Sequence, residues 1–159
     1  MTATLADFTD VSLLVIEPAA AHQDAVIAAL ATRLHAAGLA PDLDALIAGV
    51  QARERLAPTA VGDELAVPHL RDASLPALGF ACAVTRQPIS WGGTPVRGVI
   101  LVAVPPARAG DYLRLLMALA TLGQDPLTRA ALLAAATPLE MLEVLARAPV
   151  PGLSRPAMP

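Results

Sequence analysis

Val96-Arg97-Gly98-Val99-Ile100-Leu101-Val102-Ala103-Val104 and, upstream of it, Leu78-Gly79-Phe80-Ala81-Cys82-Ala83-Val84 decide the fold of this chain. Both runs are apolar, and both are short enough to be strands buried on two faces. Between them Trp91-Gly92-Gly93-Thr94-Pro95 reads as a turn. Working back along the chain, Leu65 to Val67 is a further short strand, which Pro68 should end, and Pro58 to Asp63 a loop. Val11 to Ile16 is another apolar run of strand length, closed by Pro18.

The flanks have a different period. Val26, Leu30 and Leu34 form a helical stripe within Gln23 to Ala37, with Gly38 as a stop. Asp42 is an N-cap for a second helix, in which Leu43, Leu46, Ile47 and Val50 share one face and which runs to about Arg55. After the strands, Asp111 to Leu122 is helical, with Leu113, Leu116, Met117 and Ala120 on one side. Leu127 to Ala136 and Leu139 to Ala148 follow, each behind a proline suited to a helix start. Helices first, strands in the middle and helices last predict an α/β fold: a mixed sheet of four or more strands with helices on both faces. Residues 1–148 make one domain, and the tail 149–159, with four prolines and a glycine, is expected to be poorly ordered.

The balance of charge narrows the function. The net charge is −3, and all eleven basic residues are arginines spread along the chain, so an electrostatic footprint for nucleic acid or anionic lipid is missing. Apolar stretches are broken before membrane-spanning length, and the start of the chain has no signal-peptide pattern. The expected compartment is therefore the cytoplasm. The one cysteine, Cys82, reads as a buried small hydrophobe. No metal site and no cofactor are expected, because no Cys or His pair has ligand spacing and no glycine-rich phosphate loop is present.

Of three histidines, His22 precedes the first helix and His35 lies near its end, both places for structural roles. His69 differs. A short strand delivers it in Leu65-Ala66-Val67-Pro68-His69, the proline ends that strand, and the C-terminal edge of an α/β sheet is where ligands usually bind. Pattern alone favours the plainer alternative, a loop histidine with ordinary hydrogen bonds.

The stretch Ala52-Arg53-Glu54-Arg55-Leu56-Ala57-Pro58-Thr59-Ala60-Val61-Gly62-Asp63-Glu64-Leu65-Ala66-Val67-Pro68-His69 resembles the signature of the enzyme IIA domain of the fructose/mannitol class of the bacterial sugar phosphotransferase system. That class includes the nitrogen-regulatory IIA proteins. The resemblance continues through Pro88-Ile89, the strand from Val96 to Val104 and the helix from about Tyr112, and covers roughly residues 11 to 148.

The resemblance implies that His69 accepts a phosphoryl group from the phosphocarrier HPr and passes it to a cysteine or histidine of a IIB partner. It also implies that Arg53 and the Thr59 hydroxyl stabilise the phosphate; Tyr112 is expected at the rim, and so is Arg71 from its place two residues after His69. Those residue types suit the chemistry: a neutral imidazole is a competent nucleophile, and phosphoryl transfer needs positive donors around three equatorial oxygens. The chain departs from the pattern at Ala60, Glu64 and Leu70, where glycines are usual, at Pro58, where serine is usual, and at Tyr112, where many members have a second histidine. These departures support a second reading, a regulatory module that binds a target protein. A third is a small-molecule-binding α/β domain unrelated to phosphotransfer.

Overall fold

A computed structural model describes residues 1–19, 22–60 and 63–155. The chain is an α/β fold built on a five-stranded mixed sheet. Its elements are β1 (Thr2–Thr4), β2 (Leu14–Ile16), α1 (Gln23–Ala36), α2 (Leu43–Leu56), β3 (Leu65–Ala66), β4 (His69–Arg71), β5 (Gly79–Trp91), β6 (Thr94–Val104), α3 (Ala109–Gln124), α4 (Pro126–Leu133), α5 (Pro138–Ala146) and β7 (Pro149–Ser154).

The two central apolar runs form the antiparallel hairpin β5–β6. Strand β2 lies parallel to β5 on one side, and β3 and β4 lie parallel to β6 on the other. Side chains alternate across the sheet, as the pleat requires. Phe80, Cys82, Val84, Ile100, Val102 and Val104 enter a core shared with α3, α4 and α5. Ala81, Ala83, Val99, Leu101 and Ala103 enter a second core shared with α1 and α2. Both faces are therefore covered, which explains why these strands read as continuous apolar runs. Small alanines fill the α1/α2 side and let those helices approach closely.

The helix starts follow from local chemistry. Asp42 accepts the Ala45 N–H at 3.0 Å, Asp125 the Leu127 N–H at 3.2 Å, and Thr137 the Glu140 N–H at 3.1 Å. His22 caps α1 through Nδ1, and His35 Nδ1 lies 2.7 Å from the Ala40 carbonyl oxygen near its end, so both are structural. Among the described residues no helix is long and apolar enough to cross a membrane.

Five sequence expectations need correction. On α3 the buried side chains are Leu115, Ala118, Leu119 and Leu122, whereas Leu113 and Met117 of the expected face are exposed. The run from Val11 to Ile16 is a strand only from Leu14; Val11–Leu13 is a 3-10 turn, because Asp10 accepts the Ser12 N–H and bends the chain first. The strand predicted to end at Pro68 resumes at His69 in the same register, with Leu65 opposite Gly98 and His69 opposite Val102. Pro68 only interrupts it, since its carbonyl still accepts the Val102 N–H at 3.0 Å. Strand β5 extends past Val84 to Trp91 through a bulge that takes up Pro88, where a missing N–H costs no ladder bond. The tail is ordered from Pro149 to Ser154, where β7 pairs antiparallel with β1 and Val150 is fully buried. The predicted loop is described except at residues 61 and 62, which include Gly62, and residues 156–159 of the predicted tail also lie outside the described residues.

Candidate functional site

His69 and Arg71 alternate with Leu70 along β4, so they leave the sheet on the opposite face from Leu70. Leu70 packs toward α2, where Gly49 makes room: a Cβ there would lie 2.8 Å from Leu70 Cδ1. The bulky residue at position 70 is thus matched by a missing side chain on the helix above it. His69 faces α3, where its ring lies 5.3 Å from that of Tyr112, tilted by 37°.

These elements enclose a cleft of about 500 Å³ lined by Arg53 at the end of α2, by β4, by Val104 at the end of β6, and by Ala109, Gly110, Tyr112 and Leu113 in the first turns of α3. It opens at the C-terminal end of the parallel pair β4–β6. The start of α3 directs backbone N–H groups and the positive end of its dipole toward this end of the sheet. Arg53 and Arg71 both line the cleft, whereas no Asp or Glu is among its lining residues. Asp63 instead pairs with Arg129 at 3.6 Å, and Glu64 is exposed with its carbonyl accepting from Arg97 and Gly98. Both Asp63 and Glu64 have positive φ, 52° and 65°, so Glu64 occupies a backbone shape that favours the glycine usual there.

The electrostatics keep the imidazole neutral. Burial pushes the His69 pKa down from its ordinary value, the Val67 carbonyl opposes this, and the Arg53 charge lowers it further. His69 Nδ1 lies 3.3 Å from the Val67 carbonyl oxygen. A carbonyl only accepts, so Nδ1 carries the proton and Nε2 holds the free lone pair. Burial pushes the Tyr112 phenol up, against the pull of Arg53, so it keeps its proton at neutral pH and can donate. Cys82 is fully buried, with its thiol pushed up to about 12, and is chemically inert.

The structure therefore brings together Arg53, His69, Arg71 and Tyr112. It does not bring in Thr59. The Thr59 hydroxyl is buried and donates to Glu54, so it points away from the cleft. Sequence reading gave no separate role to Glu54, Gly49, or Ala109 and Gly110 at the start of α3. Glu54 stands beside Arg53 in the quoted signature, but it is buried, and one of its hydrogen-bond donors, Trp91, lies thirty-seven positions away.

The sequence of this chain matches the family described as "Phosphoenolpyruvate-dependent sugar phosphotransferase system, EIIA 2" over residues 7–148. The chain belongs to this family. It is 38% identical over 128 residues to the PTS system 2-O-alpha-mannosyl-D-glycerate-specific EIIABC component of Escherichia coli (strain K12), a match covering 77% of this chain. The chain spans about a fifth of that relative, 20% of its length. Two solved structures share the fold. The nitrogen regulatory protein IIA-Ntr from Neisseria meningitidis has a TM-score of 0.76 at 22% identity, covering 89% of this chain and 98% of that one. The IIA mannitol structure from Escherichia coli has a TM-score of 0.75 at 20% identity, covering 86% and 98%. This EIIA domain thus has the fold implied by the resemblance, and β7 lies just after the matched segment.

Proposed function

We propose that this EIIA domain is a phosphohistidine relay: His69 Nε2 takes a phosphoryl group from an HPr-like phosphocarrier and passes it to a IIB partner. The observation that carries the reading is a half-buried, neutral imidazole with Nδ1 turned onto a carbonyl, in a cleft lined by two arginines and by no Asp or Glu, with one Arg53 nitrogen held on the Ala57 carbonyl at 2.9 Å.

In the first transfer the Nε2 lone pair bonds to phosphorus while the bond from phosphorus to the carrier's leaving atom breaks, its electron pair departing with the carrier. The ring keeps its Nδ1 proton, so the phosphorylated imidazole is cationic, with the Val67 carbonyl stabilising that charge. In the second transfer the nucleophile of the IIB partner bonds to phosphorus, and the electron pair of the P–Nε2 bond returns to His69. A cationic ring is a good leaving group, which suits a relay better than a store. Arg53 and Arg71 offset the added phosphate charge, and the first turn of α3 and the Tyr112 hydroxyl supply further donors. The solved complex of enzyme IIAMTL with phosphorylated enzyme IIBMTL of Escherichia coli supports a IIB partner, its chain matching this one at a TM-score of 0.72. The Escherichia coli relative joins A, B and C components, consistent with the same order of transfer. Cytoplasmic location follows from this role, since both partners are soluble or face the cytoplasm.

The test is incubation with enzyme I, HPr and phosphoenolpyruvate, read by intact mass. One acid-labile phosphate is expected on the wild type and on His35→Ala, and none on His69→Ala. A wild type that gains no phosphate overturns the relay and leaves a regulatory module that works by binding a target.

A further inference from the structure

The buried Glu54 carboxylate touches nothing in the cleft, yet three donors converge on it. Thr59 N–H reaches Oε2 at 3.1 Å, the Thr59 hydroxyl reaches Oε1, and Trp91 Nε1–H reaches Oε2 at 3.1 Å. Only 6% of Glu54 is exposed, so the loss of any of these bonds would go uncompensated by water. A carboxylate buried to this depth and held by three donors fixes whatever it holds.

What it holds leads to the acceptor. The Thr59 carbonyl accepts the Val67 N–H at 3.1 Å, and Ala60 bridges to Ala66, so the residues after α2 are laced to the strand that delivers His69. The carbonyl on the other side of Val67 receives His69 Nδ1. Pro68 follows directly, and its ring limits the conformations open to Val67. The plane of the Val67 residue is thus set from Thr59, and the direction of its carbonyl selects the His69 tautomer.

We infer that Glu54 is a positioning residue for the phosphoacceptor: through Thr59 and Val67 it holds His69 in the Nδ1–H tautomer, with Nε2 free. This rests on the relay reading for its consequence, but the tautomer itself can be read without any phosphotransfer. It also gives Thr59 a role, as the link between a buried anion and the acceptor strand. In water an unconstrained histidine side chain favours the Nε2–H tautomer, which would put the proton on the attacking atom.

The experiment measures the ¹⁵N shifts of the His69 ring in the unphosphorylated protein, at a pH where the ring is neutral. The wild type is expected to be predominantly Nδ1–H. Glu54→Ala should move the ratio toward Nε2–H and slow phosphorylation by HPr about 10- to 100-fold. If Glu54→Ala does not fold, Thr59→Val, which removes only the hydroxyl bond, is read in its place, with a shift in the same direction. Trp91→Phe removes a different bond to Glu54 and costs stability, but leaves Thr59 tied, so it should keep the wild-type ratio. An unchanged ratio in the deciding variant, or an equal shift in Trp91→Phe, overturns the inference. A wild type that shows the Nδ1–H tautomer yet accepts no phosphate would overturn the relay and leave the positioning network standing.

Discussion

At the scale of the residue, the proposed relay turns on where one proton goes. As the proposed acceptor, His69 must be neutral to attack, and burial together with Arg53 and Arg71 lowers its pKa from the ordinary 6.5, outweighing the Val67 carbonyl and Glu54. The phosphorylation rate should therefore stay flat as pH falls through about 6.5 and drop only at lower pH, once the folded ring protonates. Stability carries the same sign. The unfolded chain binds the proton at a higher pH than the folded one, so between the two values unfolding takes up a proton and stability falls with acid. His69→Gln should flatten that part of the stability profile, measured by urea unfolding across pH. A rate that begins to fall above the ordinary histidine value would contradict the shift. Residue identities legible in the sequence include His69, Arg53, Arg71 and Tyr112, which the structure gathers into one cleft. Thr59 was legible as a hydroxyl near the site but not in its orientation. That orientation is set by Glu54, and a charged residue on a helix reads as solvated until a distant Trp91 is seen to cover it.

At the scale of the element, α2 and β4 are fitted to one another. Gly49 leaves a gap on α2 and Leu70 fills it, so neither residue is explained alone. Gly49→Leu should push the helix off the strand, costing about 1–3 kcal/mol by overpacking, and Leu70→Gly in the same chain should recover part of that loss. Urea unfolding of the two single variants and the double variant checks this, and strictly additive losses would mean that the two positions do not share the gap. The same coupling should show in phosphorylation, since Arg53 on α2 and His69 on β4 line one cleft. The helices were readable from their apolar period of 3.6 and the hairpin from its two unbroken apolar runs, both local signals, and α1, α2 and α3 lie within a few residues of their expected limits. The continuation of β3 past Pro68 as β4 was not. A proline ends a strand by its own chemistry, and only the partner β6, offering Val102 N–H to the Pro68 carbonyl, carries the strand across it.

At the scale of the whole molecule, the first and last described elements close on each other. Strand β7 pairs with β1, the Leu5 N–H reaches the Ala148 carbonyl at 2.9 Å, and Arg155 pairs with Asp7 at 3.0 Å. Proline-rich composition hides this strand, because Pro149 and Pro151 lack the N–H that a ladder wants. They are accommodated because the ribbon has only two strands and its register shifts between Thr2 and Thr4. Gly152, within β7, has a φ of 85°, and a side chain in its place would run into the Arg114 guanidinium on α3. Val150, fully buried beside Ala3, Leu5 and Leu145, carries the apolar part of the closure. None of these residues lines the His69 cleft, so closure and chemistry should separate. Ending the chain after Ala148 removes Val150 and its ladder, and burial of a valine side chain alone contributes about 1.5–3 kcal/mol. At about 2–4 °C per kcal/mol for a domain of this size, the melting temperature should fall by several degrees. Phosphorylation by HPr at a temperature where the shortened chain is still folded should keep its wild-type rate. A rate loss of tenfold or more in a folded, shortened chain would mean that β7 reaches the site through α3, against which it packs. An unchanged melting temperature would mean that the ribbon contributes no net stability.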